Sequence, residues 1–277
     1  MAKYILIKRL NVLGACGLQD EHIIGVPAMT QHNGFVDSLR RSLNEQFKIK
    51  IEGFTIAYHY VDFDNVLLSK YKYVGYRTHR EATARTTLDS KLIADYVDKP
   101  KVNMNISYLL KVKTSIDEED IIKSIMDFLK TARVCGGFVD TSKPPRIEVI
   151  VSNNCDKDKI ILKKLMPSQI PITRTDLILN SKLSPLETEV RCMTYTPNEP
   201  KTGWLVPMVV GYKKIGECVS KDSLRSQEVY GCLGEAISTV CEFVMPYKFN
   251  LIEDCLWHSE CTDDNKYLII DKNYKNA

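Results

Sequence analysis

The stretch from Tyr4 to Phe47 limits the fold more than any other part of the chain. Tyr4-Ile5-Leu6-Ile7-Lys8-Arg9-Leu10 is a short apolar run that ends in two bases. Its first half is apolar on both faces, the pattern of an inner strand covered on both sides. A loop punctuated by Gly14, Gly17, Gly25 and Pro27 follows. Phe35, Leu39, Leu43 and Phe47 then recur at every fourth position, with Val36 beside them. They form one apolar ridge of a helix, and Asp37, Arg40, Arg41, Asn44 and Glu45 take the other side. Asn33, just before Gly34, is the expected N-cap. Burying each large side chain of the ridge contributes roughly 1.5–3 kcal/mol, enough to hold the helix on a sheet. The free amides at the start of such a helix attract anions, phosphate included.

Further along, Phe54 to Val61 alternates and is rich in aromatic and β-branched residues, which predicts a second strand. A polar, basic insertion from about 63 to 101 follows. Val102 to Tyr108 alternates strictly and continues to Val112 as a third strand. Ser115 with Glu118 reads as a capping box. The helix after it carries Ile121, Ile122, Ile125, Phe128, Leu129 and Ala132, and the sequence predicts its stop at Gly136-Gly137. Arg146 to Val151 is a fourth strand. The order strand, helix, strand, strand, helix, strand predicts an α+β chain with a ferredoxin-like core, the βαββαβ arrangement also used by RNA recognition motifs. Two helices on one sheet face leave the other face free for a ligand.

The expected division is a core over residues 1–155 and a C-terminal mixed subdomain over 156–277. Prolines break up the second part between Pro167 and Pro200. A short helix is expected over Asp158 to Leu165, a buried segment over Gly203 to Tyr212, and a helix over Glu228 to Val244. A short helix toward Trp257 and a last strand over Tyr267 to Ile270 follow.

With a net charge of only +3, a nucleic-acid role has to rest on local clusters. No window approaches the ~18 uninterrupted apolar residues of a spanning helix, and Met1 to Tyr4 leads straight into a strand. The expectation is a cytoplasmic protein with no membrane partner. Nine scattered cysteines without a Cys-x-x-Cys pair read as reduced thiols. Cys255, His258 and Cys261 have the spacing of a partial zinc site but lack a fourth ligand, so no cofactor is expected.

The informative polar region is the insertion. Lys70, Lys72, Arg77, Arg80 and Arg85 stand against one acid, Glu81, and Tyr71, Tyr73, Tyr76 and His79 are interleaved with them. Bases for phosphates and rings for stacking are what single-stranded RNA binding needs, each stacked base being worth roughly 1–3 kcal/mol. A solvated hairpin with ordinary surface charge has the same composition. Gly136-Gly137 permits close approach of backbone to a ligand, or simply caps a helix. No Walker loop, Gly-x-Ser-x-Gly elbow or His-Glu-x-x-His helix is present. A metal-free ribonuclease would need His32 or His79 as acid or base.

Several of these segments resemble one family. They are Leu6-Ile7-Lys8-Arg9-Leu10, Gly25-Val26-Pro27-Ala28, Gly34 to Arg41, Gly136-Gly137, Gly203-Trp204-Leu205-Val206-Pro207 with Gly211-Tyr212, and Leu256-Trp257-His258. The family is the small tail subunit of the type I-F CRISPR surveillance (Csy) complex, in the RAMP superfamily. The resemblance spans nearly the whole chain. It implies a non-catalytic subunit with a ferredoxin-like core and an inserted thumb. Such a subunit pairs with the large tail subunit to hold the 5′ handle of the CRISPR RNA (crRNA), abuts the backbone subunits, and takes part in target DNA binding through guide pairing in antiviral defence. The candidate RNA-contacting residues are then Arg9, Asn11, His32 and Asn33 around the opening loop; Lys70, Tyr71, Lys72, Tyr73, Arg77, His79, Arg80 and Arg85 in the thumb; and Gly136 and Gly137. The competing expectation is a RAMP-type endoribonuclease that processes CRISPR repeat RNA.

Overall fold

The computed structural model describes residues 2–20, 22–63, 65–68, 73–76, 78–82, 96–113, 118–194, 203–220, 230–262 and 264–275. Its first part runs β1 (Ala2–Cys16), α1 (Met29–Phe47), β2 (Lys50–Phe63), β3 (Asn65–Leu68), β4 (Tyr73–Tyr76), β5 (Thr78–Ala82), β6 (Tyr96–Lys113), α2 (Glu118–Leu129), β7 (Arg133–Val134), β8 (Gly137–Val139) and β9 (Arg146–Ser152). The second part runs α3 (Cys155–Lys164), β10 (Ile170–Thr173), α4 (Thr175–Leu179), α5 (Pro185–Met193), β11 (Trp204–Ser220), β12 (Tyr230–Val244), two 3-10 turns (Pro246–Lys248 and Ile252–Cys255), β13 (His258–Cys261), β14 (Lys266–Ile270) and α6 (Lys272–Lys275). Helix and antiparallel sheet both contribute, so the chain is α+β.

The first sheet has the order β2-β6-β1, and the outer edge of β1 is shared. Residues Ala2 to Lys8 pair with β9, and Val12 and Leu13 pair with β8. All these pairings are antiparallel. β1 is covered on both faces, as its apolar first half requires. Ile5, Ile7, Leu10, Val12 and Ala15 enter one cluster with Phe35, Val36, Leu39 and Leu43 of α1 and Ile121, Ile125 and Leu129 of α2. Tyr4 and Leu6 enter a second cluster with Ala57, Leu109, Ile161, Leu162 and Leu165 under α3.

β1 extends past the expected Leu10 to Cys16 by means of two bulges. Lys8 and Arg9 together oppose Ser107, and Leu13 and Gly14 together oppose Asn103. Arg9 has φ 62° and Gly14 has φ 68°. Each extra residue restores the inward phase, so Leu10, Val12 and Ala15 all face α1. The expected loop from Asn11 therefore begins only at Gly17. α1 also begins earlier than expected. Its N-cap is Ala28, whose N–H donates to Gln31 Oε1 at 3.1 Å. Asn33 is already inside the helix, and Met29 and His32 extend the buried ridge by a turn.

Two other expectations are corrected. Gly136-Gly137 does not stop the second helix, which ends at Leu129. The pair belongs to the β7–β8 hairpin, where Val134 faces Gly137 across Cys135 (φ 50°) and Gly136 (φ 79°). Two central residues with positive φ make the turn type that matches strand twist. Secondly, of the segment expected to be a helix over 228–244, the described residues 230–244 are strand β12, paired with β11 from Trp204↔Phe243 to Ser220↔Tyr230. Its apolar residues match a helical period by coincidence. Leu233 on that supposed ridge is 76% exposed, and the buried run is Thr239 to Cys241 with Phe243 and Val244. Tertiary pairing of a β-branched segment overrides the local pattern.

The second sheet has the order β10-β12-β11-β14-β13. It is stitched to the outer edge of β2 by two backbone bridges, Phe54 with Trp257 and Tyr58 with Gln169, which covers an edge that would otherwise be open. Trp257 is fully buried and its Nε1 donates to Pro171 O at 3.1 Å. Within the Gly203 to Tyr212 segment, Met208, Val209 and Val210 are buried, but Trp204 and Tyr212 are exposed. Gly211 is obligatory there, because a Cβ would stand 2.4 Å from Tyr267 O. Among the described residues, no helix is long and apolar enough to cross a membrane.

Candidate nucleic-acid interface

The face of the first sheet turned away from α1 and α2 divides into two halves. At one end Tyr4, Leu6, Ala57 and Leu109 are roofed by α3 and the 3-10 segments. At the other end the same strands carry polar and exposed side chains. The boundary lies at Ser107, where bulges from both neighbouring strands converge. Arg9 of β1 donates its backbone N–H to Ser107 Oγ at 2.9 Å. His59, the extra residue of a bulge between Tyr58 and Tyr60 of β2, brings Nε2 to 2.6 Å from the same oxygen.

The proton positions follow from the partners. His59 Nδ1 lies 2.7 Å from Pro167 O. A carbonyl only accepts, so Nδ1 carries the proton and Nε2 accepts from the Ser107 hydroxyl. The imidazole is held neutral. Burial lowers its pKa to about 4, the nearby Arg9 and Lys8 charges push the same way, and the bond to Pro167 O opposes them.

Beyond Ser107 the register sets out two rows. In the first, Asn11 faces Asn105 and Asn105 faces Tyr60. Asn105 Nδ2 donates to Asn11 Oδ1, while Asn105 Oδ1 is buried with no partner among the described residues. In the second row, Asp62 faces Asn103, which lies opposite the Leu13–Gly14 bulge. Leu13 faces Phe138, and Phe138 faces Arg133. Asn103 Oδ1 accepts from Gly14 N–H at 2.9 Å. Tyr60, Phe138 and Leu13 are 62%, 60% and 48% exposed, and the Arg133 guanidinium lies 4.5 Å over the Phe138 ring. Lys8 faces Arg146 across β1 and β9. None of Lys8, Arg9, Arg133 and Arg146 has an acidic partner among the described residues. Exposed rings, amides and unneutralised bases on one sheet face form a surface suited to an unpaired nucleic-acid strand.

The structure brings only part of the expected set to this surface. Arg9 and Asn11 are on it. Gly136 is exposed in the adjoining hairpin turn, but Gly137 is buried, and a Cβ there would meet Ala15 N at 2.7 Å, so its small size serves strand packing. Asn33 is on the opposite side of the sheet, where its Nδ2 donates to Tyr267 Oη at 2.8 Å and ties α1 to β14. His32 is a correction. It is fully buried, with Nε2 2.6 Å from Tyr58 Oη and Nδ1 2.7 Å from Tyr108 Oη. Burial lowers its pKa to about 3. It is a core residue and reaches neither RNA nor a scissile phosphate.

The thumb positions Lys70, Tyr71, Lys72, Arg77 and Arg85 lie outside the described residues, as does Ser115 of the expected capping box. Tyr73, His79 and Arg80 are described in backbone only. Tyr73 pairs with Leu68 in the β3–β4 hairpin, and His79 and Arg80 pair with Lys99 and Asp98 where β5 lengthens the sheet beside β6. Tyr60, Phe138, Arg133, Arg146, Asn103 and Asn105 are absent from the sequence-based set. For Asn103 and Asn105 the strict alternation of the third strand was a usable signal, but the bulges that decide which face is open were not visible. Cys255 is buried with its Sγ donating to Ile252 O at 3.2 Å, and Cys261 is exposed on β13. Among the described residues no three metal-binding side chains stand together.

A protein-family model described as CRISPR-associated protein (Cas_Csy2) matches residues 5–193 and 182–269. No curated protein matches the chain.

Proposed function

The chain belongs to the Cas_Csy2 family of CRISPR-associated proteins, a subunit family of the type I-F Csy complex, and on that premise we propose that it holds the 5′ handle of the crRNA. In this reading the subunit is non-catalytic. It works beside the large tail subunit, abuts the backbone subunits, and contributes to target DNA recognition through the guide.

The observation that carries the reading is the open half-face beyond Ser107. Lys8, Arg9, Arg133 and Arg146 stand there without acidic partners among the described residues, beside Asn11 and the exposed Tyr60 and Phe138. The strand order β9-β1-β6-β2, antiparallel throughout, supports a ferredoxin-like core over 1–155, and the second sheet supports a C-terminal subdomain over 156–277. The thumb, about 63–101, extends the grip. Lys70, Lys72, Arg77, Arg80 and Arg85 serve phosphates, and Tyr71, Tyr73 and His79 stack on splayed bases. Gly136 lets the backbone of its turn approach the strand.

The test is handle-RNA binding by the full chain as a function of salt. With about five phosphates engaged by the thumb, the logarithmic slope approaches roughly −3.5. Replacing the five bases by Gln flattens it. Unchanged affinity and slope in that variant refute the thumb assignment.

A further inference from the structure

Handle binding needs phosphate contacts, but the open half-face also carries apolar rings that phosphates do not use. Phe138 is 60% exposed although it lies in the middle of a paired three-residue strand. Its ring packs under the Arg133 guanidinium, 4.5 Å from the centroid, and its cross-strand neighbour is the half-exposed Leu13. The hairpin that presents it is rigidly set. Val134 and Cys135 are buried, and Gly137 fits only because it lacks a Cβ. Cys16 N–H donates to Cys135 O at 2.9 Å, fixing the turn against the end of β1. An exposed ring held this firmly is pre-organised, and a ring with a cation on one side has its outer edge and remaining surface available to a flat partner.

Tyr60 is the second such ring. It lies three strand spacings from Phe138, across β8-β1-β6-β2, which is roughly 14 Å. Between the two rings stand the Asn11–Asn105 amide pair, with the unpartnered Oδ1 of Asn105, and Leu13 and Asn103 of the next row, while Arg9 flanks the amide pair on the side away from Phe138. Sheet faces that read unpaired RNA put two or three bases on rings and leave polar edges between them.

We propose that Phe138, backed by Arg133 and flanked by Leu13, stacks on one unpaired base of the bound RNA, and that Tyr60 stacks on another, with Asn11 and Asn105 facing the base edges between. This rests on the reading that the chain binds single-stranded RNA. The occupant is an RNA strand and not a protein helix because Arg133 lies over Phe138 and the same face carries Lys8, Arg9 and Arg146, none with an acidic partner among the described residues, against the one carboxylate of Asp62 in the two rows beyond Ser107. An apolar helix would bury those charges unpaired.

The experiment uses the full chain and an oligoadenylate RNA in which one residue is 2-aminopurine, whose fluorescence falls on stacking. The wild-type chain quenches the probe on binding. Phe138→Ala weakens binding roughly 5- to 100-fold, as loss of one stacked base does, and relieves the quench. Phe138→Tyr restores both. Phe138→Leu keeps the apolar surface and does not restore them. Because the side chain is exposed, the thermal unfolding midpoint of each variant stays at the wild-type value. Wild-type-like binding and quenching by Phe138→Ala overturn the platform and leave the RNA-binding reading intact. Failure of the wild-type chain to bind any single-stranded RNA overturns both. If Phe138→Ala keeps RNA affinity but loses co-purification with the other Csy subunits, the patch is a protein contact and the proposal is wrong.

Discussion

The two halves of one sheet face do different work with the same strands. Leu6 and Leu109 face each other under α3 and are fully buried. A few residues further along, Asn11 and Asn105 face each other in an uncovered row that ends in the exposed Tyr60. Alternation alone would have carried the apolar pattern through. The chemistry changes at a pair of bulges, Arg9 on one side and His59 on the other, both pinned to Ser107. A bulge turns the strand and re-aims the side chains beyond it. The covered half supplies stability, the uncovered half is the one we propose for RNA recognition, and Ser107 is the seam between them.

Changes in the two halves should therefore be separable, and the largest effect belongs to the covered one. Leu109→Ala removes a fully buried side chain from the second cluster. Denaturant unfolding should show a loss of about 2–5 kcal/mol, with RNA affinity of the folded protein unchanged. A comparable loss of RNA affinity in that variant would break the division.

A smaller effect distinguishes the two histidines by pH. Both have their pKa lowered by burial, His32 to about 3 and His59 to about 4. In the unfolded chain each takes up a proton near pH 6.5. Between that pH and the folded values the unfolded state binds more protons, so stability is full above about pH 6.5 and is lost as pH falls. At about pH 5, His32 should cost about 2 kcal/mol relative to neutral pH. His59 acts in the same direction but by less, because it is only partly buried. His32→Gln should remove most of the pH dependence in this window, read from denaturant midpoints at the two pH values. If His59→Gln removes more, the core network of Tyr58, His32 and Tyr108 is not the acid-sensitive part of the molecule.

How far this was legible in the sequence depends on what each feature is made of. Local apolar pattern revealed β1 as a doubly covered strand and the ridge of α1, since burial there follows the period. The order of β1, α1, β2, β6, α2 and β9 was readable for the same reason, but the short strands β3, β4, β5, β7 and β8 between them were not. The β12 strand was not, because Leu233, Ile237, Val240 and Val244 fit a helical spacing and only pairing with β11 decides against it. The polar end of the first apolar run, Arg9 and Asn11, was visible in the sequence, but its assignment to RNA came from the family resemblance alone. Phe138 and Tyr60 were not, since a ring in a strand is ordinarily core. Two residues opposing one on the partner strand are a property of the pairing, which no single segment contains. His32 was expected among the RNA contacts of the opening loop, yet α1 begins three residues before it and turns it onto the buried ridge.

The smallest predicted effect lies at the seam. Arg9 sits at φ 62°, where a side chain costs about 1 kcal/mol or more, and its N–H is bound to Ser107. A glycine at this position keeps the bulge and the hydrogen bond while removing the guanidinium. Relief of the backbone penalty offsets the lost packing of the side-chain stem, so Arg9→Gly should leave the unfolding midpoint close to wild type. If the guanidinium neutralises one phosphate, the logarithmic salt slope of single-stranded RNA binding should become shallower by roughly 0.7. The same substitution removes a positive charge beside His59, so the imidazole pKa should move upward, which a proton NMR titration reads directly. A shifted histidine with an unchanged salt slope would mean that Arg9 shapes the bulge without touching RNA. The recognition half-face would then begin at Asn11.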